Sequence, residues 1–291
     1  MKILLTASLV LYRNPENQLI QLLESLPLDI MALSVIDNSP DDALSSLFTS
    51  LQNVTYNHSD SNLGFGKGHN KAFECCPVKA DFHIVLNPDV YFKKEELNKL
   101  VEYLQTNTDV GVVGPKVFYP DGRLQFSCRL LPTPIDLFVR RSMFRAYKEK
   151  RNEMIELRFT QYNKTMEVPF VLGCFMTFRT SVFAAIGGFD ERYFLYLEDV
   201  DICRRVSQTH RVMFYPHVSI FHVYAMASRN HLNLTLVHLK SAFKYFNKWG
   251  WLFDRERKRI NNSTLKKLKF YDSNPRAQKN LMSIAFTIFL L

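Results

Sequence analysis

Apolar residues in this chain fall into short runs and helical stripes that alternate from the N-terminus onward. Residues 3–11 are apolar and β-prone. The run is short, contains Thr6 and Ser8 and lacks a small-residue cleavage site, so it reads as a first strand and not as a signal peptide. Asn14-Pro15 then supplies an N-cap followed by proline at the first helical position. Leu19, Leu22, Leu23 and Leu26 recur at helical spacing until Pro27. A second strand over 30–36 ends in Asp37-Asn38-Ser39-Pro40. This β-α-β order, with its right-handed crossover, predicts a parallel sheet. Ligands of such sheets bind beyond the carboxyl ends of the strands, where Asp37 lies, although a turn-forming Asx residue is the plainer alternative.

A third strand over 82–86 runs into Asn87-Pro88-Asp89-Val90. Oxygen-bearing side chains at 87 and 89 can meet a hard cation such as Mg²⁺, or can cap the helix expected over 93–105. That helix carries Leu97, Leu100, Val101 and Leu104 on one face. Residues 111–119 are strand-like and close with the turn Pro120-Asp121-Gly122. Periodicity weakens over 123–164, which reads as a long loop with some helix, a usual place for specificity elements. A strand over 168–178, with Gly173-Cys174 in its middle, precedes a short helix over 180–186. Strands over 212–215 and 218–222 are separated by Pro216, and His222 ends the second. From Asn230, the stripe Leu232, Leu236, Leu239, Phe243 and Phe246 predicts a helix packed on the preceding domain. The expected division is therefore a domain over 1–228 and a basic, aromatic helical region over 229–291.

Composition adds two constraints. Of 291 residues 47% are hydrophobic and 22% charged, which describes an ordinary globular chain. The five cysteines are odd in number and form no C-x-x-C pair, arguing for reduced thiols in a cytosolic setting. The net charge of +9 is segregated. Between Lys240 and Lys279, twelve Lys/Arg face three Asp/Glu, an excess equal to the whole-chain figure. Such segregation points to an anionic partner. Because the basic residues interleave with an amphipathic stripe and match no nucleic-acid module, a membrane surface is expected in preference to nucleic acid. Trp249, Trp251 and the basic run 255–259 have the chemistry of an interfacial anchor, placing attachment within 249–291. The apolar run 281–291 is too short to span a bilayer.

The chemistry concentrates in residues 187–201. Gly187-Gly188 permits a tight turn, an aromatic run follows, and Glu198, Asp199 and Asp201 open a helix on which Val200, Cys203 and Val206 share a face. Capping explains many acidic first turns. Adjacent Glu198 and Asp199 go further, because like charges in a half-buried site raise one pKa and make a usable base. The run Ser61-Asn62-Leu63-Gly64-Phe65-Gly66-Lys67-Gly68-His69-Asn70 matches neither the P-loop nor the dinucleotide fingerprint. Its alternating glycines allow close backbone approach to a ligand or to a helix expected to begin near Asn70.

Taken in order over about residues 3–225, these motifs resemble the inverting glycosyltransferases of the α/β GT-A fold, the large second family. Val35-Ile36-Asp37-Asn38, the 62–70 run, Leu86-Asn87-Pro88-Asp89-Val90, Asp121-Gly122-Arg123-Leu124-Gln125, Gly173-Cys174-Phe175-Met176, the acidic stretch and Phe221-His222 carry the likeness. Within the family the chain looks most like bacterial rhamnosyltransferases of O-antigen and related polysaccharides. The resemblance implies that Asp37, Asn38, Asn62, Gly64, Gly66, Lys67, Asn70 and Asn87 border the nucleotide-sugar donor. It implies Asp89 and His222 as ligands of Mg²⁺ or Mn²⁺, and Asp199 as catalytic base with Glu198 beside it. The family's metal motif has two aspartates flanking a residue, and here Asn87 replaces the first, so a cation would be held more weakly. The implied reaction moves L-rhamnose from dTDP-L-rhamnose to a lipid-linked saccharide at the inner face of the cell membrane. A same-fold transferase using a UDP-hexose, or a non-catalytic scaffold of a polysaccharide assembly complex, are the alternatives.

Overall fold

The computed structural model describes residues 4–139, 145–223 and 232–270. Its centre is a ten-stranded mixed sheet. The first half is parallel: β1 (Leu5–Leu11), β2 (Met31–Asp37), β3 (Val54–His58) and β4 (Phe82–Leu86). Beyond β4 lies β11 (Phe175–Arg179), antiparallel to it, and then β6 (Val110–Phe118) and β12 (Arg211–His222), parallel to each other. The order is β3-β2-β1-β4-β11-β6-β12-β5, where β5 is Val90–Tyr91. The short strands β7 (Leu124–Gln125) and β9 (Met166–Glu167) pair with β6 and β12. A separate pair joins β8 (Cys128–Arg129) to β10 (Phe170–Val171).

Both faces of the sheet are covered, as a sheet of largely parallel strands requires. On one face Leu19 and Leu22 of α1 (Glu16–Ser25), with Leu97, Leu100, Val101 and Leu104 of α4 (Glu95–Thr106), meet Leu5, Ala7, Leu9 and Leu11. The short α2 (Ser46–Thr49) adds Phe48 to this layer. On the other face lie α3 (Phe65–Cys75), α7 (Thr180–Ala185) and α8 (Glu198–Val206). Thr6 and Ser8 point to this second layer and are answered by two buried histidines. Thr6 Oγ1 bonds His83 Nδ1 at 2.9 Å, while Ser8 Oγ bonds His83 Nε2 at 3.1 Å and His69 Nδ1 at 2.8 Å. Burial holds both rings neutral, lowering the His83 pKa to about 3.

The 123–164 connection contains α5 (Pro134–Val139) and α6 (Arg145–Ile155). After β12 come α9 (Leu232–Trp249) and α10 (Arg255–Lys267). Ala242, Tyr245, Phe246, Leu265, Leu268 and Phe270 join the same core as α8, so the C-terminal helices complete that layer.

Several sequence expectations are corrected. The strand at 54–58 went unread because its residues are mostly half-buried at the sheet edge and lack a strong alternation. Pro15 occupies the N-cap position of α1 with no side-chain cap, and Asn14 Oδ1 instead accepts from the Tyr12 N–H at 2.9 Å. α3 begins at Phe65, five residues before Asn70, with Gly66 and Gly68 inside it. A Cβ at Gly66 would stand 2.9 Å from Phe189 Cβ, and one at Gly68 would stand 2.8 Å from Val10, so tertiary approach overrides the helical cost of glycine. The strand expected over 168–178 is split at Gly173-Cys174, and the two expected around Pro216 form one strand with a register shift. The α9 stripe divides: Phe246 is buried, while Leu236, Leu239 and Phe243 are exposed. Residues 281–291 lie outside the described residues.

Candidate active site

The sheet places its candidate residues at one edge. β1 and β2 are in register from Leu5↔Met31 to Leu11↔Asp37, and β4 ends with Leu86 opposite Leu9. Asp37 and Asn87 therefore emerge at the same carboxyl end, on either side of β1, where the strand order reverses. A cavity of about 560 Å³ lies to one side, between the ends of β2 and β3 and α3, lined by Ile36, Asn57, His58, Leu63, Lys67 and Glu191 among others, and it does not reach Asn87, Asp89 or Asp199.

Asp37 does not line this cavity. It is fully buried, and its oxygens accept from the Ser39 N–H and the Tyr56 hydroxyl, each at 2.8 Å. Burial and Asp37 raise the Tyr56 pKa. Tyr56 sits on β3, the strand that sequence periodicity missed. Asn38 bridges to the glycine run: its Oδ1 accepts from the Leu63 N–H and its Nδ2 donates to the Gly64 carbonyl, both at 3.3 Å. Asn62 Oδ1 accepts from the Gly64 N–H at 2.9 Å, closing an Asx turn. Gly64 has φ +80° and abuts the Phe194 carbonyl, which accepts from the Phe65 N–H at 2.8 Å. A side chain at 64 would displace that carbonyl. Lys67 reaches Glu191 at 3.7 Å, with both side chains about half exposed, so the pair is weak and open to exchange.

Asn70 does different work from its neighbours. Its Oδ1 accepts from the Phe189 N–H at 2.8 Å, and its Nδ2 donates to the Phe189 carbonyl at 2.9 Å. The amide thus ties α3 to the loop that leads to the acidic helix. At the far end of this loop, Tyr196 and Leu197 both hold positive φ, 73° and 68°. Consecutive left-handed residues without glycine store strain, and they aim Glu198 and Asp199 at the start of α8.

The two carboxylates differ. Glu198 is buried and its Oε2 has no hydrogen-bond partner; burial first, and then the neighbouring Asp199, raise its pKa well above the usual range. Asp199 is partly exposed and accepts from the Gly173 N–H at 3.2 Å and the Val200 N–H at 2.8 Å. Burial raises its pKa, and those two N–H groups oppose the rise. Only Asp199 combines access with donors that hold its charge.

A raised folded-state pKa favours the protonated form in the native state. Its contribution is complete below the ordinary glutamate pKa and is lost as pH rises through the folded value. Glu198→Gln removes this titration. The stability of the variant relative to wild type should therefore grow above about pH 4.3 by roughly 1.4 kcal/mol per pH unit, until the raised pKa is passed. Urea denaturation at several pH values measures this difference; a constant difference from pH 5 to 8 would contradict a protonated Glu198.

Asp201, the third carboxylate, is structural. It is fully buried and accepts from Arg205 Nε at 2.8 Å and Trp249 Nε1 at 2.7 Å, with Lys248 Nζ also at 2.7 Å. Trp249 is thus turned into the protein and is no free anchor, contrary to the sequence expectation.

Asp89 and His222 meet on the other side of the site. Asp89 Oδ1 lies 3.2 Å from His222 Nε2, and His222 Nδ1 is bonded to Gln125 Oε1 at 2.8 Å. A carbonyl oxygen only accepts, so Nδ1 carries the hydrogen and Nε2 faces Asp89. Burial opposes protonation of His222, but Cys174 and Asp89 outweigh it and raise the pKa to about 10. Asp89 Oδ1 is buried and accepts no aligned hydrogen bond. With the Nε2 proton displaced, this carboxylate and this oriented imidazole fit a divalent cation that draws its remaining ligands from a diphosphate. Among the described residues no three His, Cys, Asp or Glu side chains gather into a complete cage. Gln125 was quoted in the sequence only as part of a motif, and its role becomes visible once β7 pairs with β6 beside His222.

Gly173 and Cys174 connect the two halves. The Gly173 N–H holds Asp199, while the Cys174 carbonyl accepts from the Asn87 N–H at 2.9 Å. Adjacent Cα atoms are 3.8 Å apart, so the Asp199 carboxylate and the Asn87–Asp89 turn flank one short bridge. This explains why the expected strand breaks at these two residues.

A family model, "Glycosyl transferase family 2", matches residues 10–187. The chain is 28% identical over 211 residues to N-acetylglucosaminyl-diphospho-decaprenol L-rhamnosyltransferase of Mycobacterium tuberculosis, a match spanning 66% of each protein. It is 27% identical to the Escherichia coli rhamnosyltransferase WbbL, over 85% of this chain and 94% of that one. Among solved structures, Staphylococcus aureus TarS 1–349 with UDP-GlcNAc superposes with a TM-score of 0.59 at 16% identity, covering 91% of this chain and 72% of that one. The Pyrobaculum calidifontis mannosyltransferase PcManGT, in complex with GDP-Man and Mn²⁺, gives 0.55 at 15% identity, over 99% and 81%. The fold is thus of the GT-A type, and the chain belongs to glycosyltransferase family 2.

Proposed function

We propose that this glycosyltransferase transfers L-rhamnose from dTDP-L-rhamnose to a lipid-linked saccharide, with inversion at the anomeric carbon. The observation that carries the mechanism is the Gly173-Cys174 bridge, with Asp199 on one side and the Asn87–Asp89 turn on the other. The relatives named as rhamnosyltransferases, one of them acting on a decaprenol-linked sugar, support the donor and acceptor classes.

Asp199 takes the proton of the acceptor hydroxyl as its oxygen forms the new bond to the anomeric carbon. The bond from that carbon to the diphosphate oxygen breaks on the opposite face, and the nucleoside diphosphate leaves with the electron pair. Asp89 and His222 would hold a Mg²⁺ or Mn²⁺ ion, which supplies charge neutralisation to the departing diphosphate. Gln125 fixes the imidazole, Asn38 and Asn62 shape the donor loop, and Glu198 stays protonated beneath Asp199 without competing for the acceptor proton.

A thermal-shift screen of nucleotide sugars tests this reading. A donor at a hundred times its Kd adds about 2.7 kcal/mol to native-state stability. dTDP-L-rhamnose with Mg²⁺ or Mn²⁺ should give the largest shift, and excess chelator or Asp89→Ala should reduce it. Stronger stabilisation by a UDP-hexose would favour a hexosyltransferase of the same fold. A shift unchanged in chelator would remove the cation from the mechanism.

A further inference from the structure

We propose that the outer face of α9 and the turn joining it to α10 form a docking surface for an anionic lipid bilayer, placed beside the mouth of the active site. The proposal rests on the lipid-linked acceptor of the function proposed above.

α9 has two apolar faces, and only one is used internally. Ala242, Tyr245 and Phe246 are buried. Leu236, Leu239 and Phe243, at spacings of three and four, share the adjoining side and are exposed. The chain then turns at Gly250, φ +100°, and presents Trp251, Leu252 and Phe253 outward. Leu252 is 75% exposed and Phe253 94%. The Trp251 ring meets Phe243 at 5.1 Å, making the helix face and the turn one continuous apolar surface. This turn is held at both ends: the Gly250 N–H donates to the Phe246 carbonyl, and Asp254 caps α10 through the Arg257 N–H at 2.9 Å. Its apolar tips are therefore presented by a fixed backbone. An apolar patch of this extent, rimmed by polar residues, marks an interaction surface.

Charge identifies the occupant. Residues 232–270 contain ten Lys/Arg and two Asp/Glu. Lys240 is exposed on the outer side of α9, and Arg255, Lys258 and Arg259 are exposed on α10. Apolar and aromatic tips among cations match the headgroup layer of an anionic membrane. A second copy of this chain would bring the same positive surface against itself, which like-charge repulsion disfavours.

Position gives the surface a purpose. Ser241 Oγ donates to the Leu195 carbonyl at 2.7 Å, and Lys244 Nζ donates to the Arg192 carbonyl at 2.5 Å. α9 therefore lies directly against the loop that ends in Glu198 and Asp199. A bilayer on its outer face would bring a membrane-confined acceptor to the carboxylate side of the site. The surface begins at Leu236, well before the 249–291 segment to which sequence alone assigned attachment.

The test is co-sedimentation of the full chain with phosphatidylglycerol-containing vesicles and with pure phosphatidylcholine vesicles. Wild type is compared with the double variant Leu252→Ser/Phe253→Ser. Wild type should bind the anionic vesicles in a salt-sensitive way, and the variant should bind at least tenfold more weakly, with unchanged melting temperature and mass in buffer. Equal binding by the two proteins, or no binding by wild type at low salt, would overturn the proposal. So would a lower melting temperature or smaller mass of the variant in buffer alone, which would mean that the face is covered by this chain or by a second copy. Transfer to a water-soluble acceptor should be the same in both proteins. Vesicle binding without transfer to any acceptor would instead count against the proposed reaction and leave the docking surface standing.

Discussion

Asp199→Asn should lower turnover by about a hundredfold to ten-thousandfold, the range for loss of a general base. The substitution preserves shape; the Gly173 N–H bonds one carboxylate oxygen and the Val200 N–H the other, so the single amide oxygen keeps one of these two bonds, and the backbone of the loop is otherwise untouched. Donor-induced thermal stabilisation should be unchanged, separating chemistry from binding. Wild type should also lose activity on the acid side through the raised pKa of Asp199, at a pH above the ordinary aspartate range. The sign follows from the role: a base works only when ionised, and burial moves ionisation to higher pH. That acid limb should be absent from the residual activity of Asp199→Asn. Near wild-type turnover by the variant would transfer the role elsewhere, with Asp190 and Glu191 in the adjoining loop the next to examine.

The sequence made some of this architecture legible because certain residues leave one physical choice. β1, α1, β2 and α4 carry complete apolar periods, and the elements fall where those periods predict. Glu198 and Asp199 were visible because two adjacent acids before a buried helical stripe exceed what capping needs. Other features depend on partners far along the chain. α3 starts early because Gly66 packs on Phe189, a residue 123 positions away in the chain. The break at Gly173-Cys174 arises from hydrogen bonds to Asp199 and Asn87, and no local pattern announces it. Asn70 looked like a donor-loop residue because it ends the glycine run, yet its amide is bonded to Phe189. The basic tail misled in one respect. Composition counted Trp249 with the surface aromatics, but its indole N–H is used by Asp201, and the exposed residues lie on both sides of it.

The same tail leads to the largest expected loss of stability. Arg204 is 1% exposed and donates to both oxygens of Asp254, at 2.6 and 2.7 Å. Its guanidinium also lies 4.2 Å from the centre of the Trp249 ring. Burial would raise the Asp254 pKa, but Arg204 and the Arg257 N–H hold it below the usual range. Asp254→Ala removes the bidentate partner and leaves the buried Arg204 with only the more exposed Glu256, at 3.1 Å, a change that costs about 3–5 kcal/mol. The damage should reach the active site, because Arg204 stands on α8, six residues after Glu198, and Asp254 fixes the start of α10. Replacing both members by apolar residues of similar size, Arg204→Met with Asp254→Leu, should recover part of the loss, since the Arg204 charge is gone while the buried Arg257, 3.8 Å from Asp254, keeps only its carbonyl partners. A double-mutant cycle read by urea denaturation measures this non-additivity. The depressed Asp254 pKa also sets a sign: its stabilisation is present above the unfolded aspartate pKa of about 3.9 and disappears as pH falls through the lower folded value. Asp254→Ala should therefore differ most from wild type at neutral pH and converge with it in strong acid. Additive single effects, or a cost for Asp254→Ala near zero at pH 7, would mean that α8 and α10 are joined by apolar packing alone.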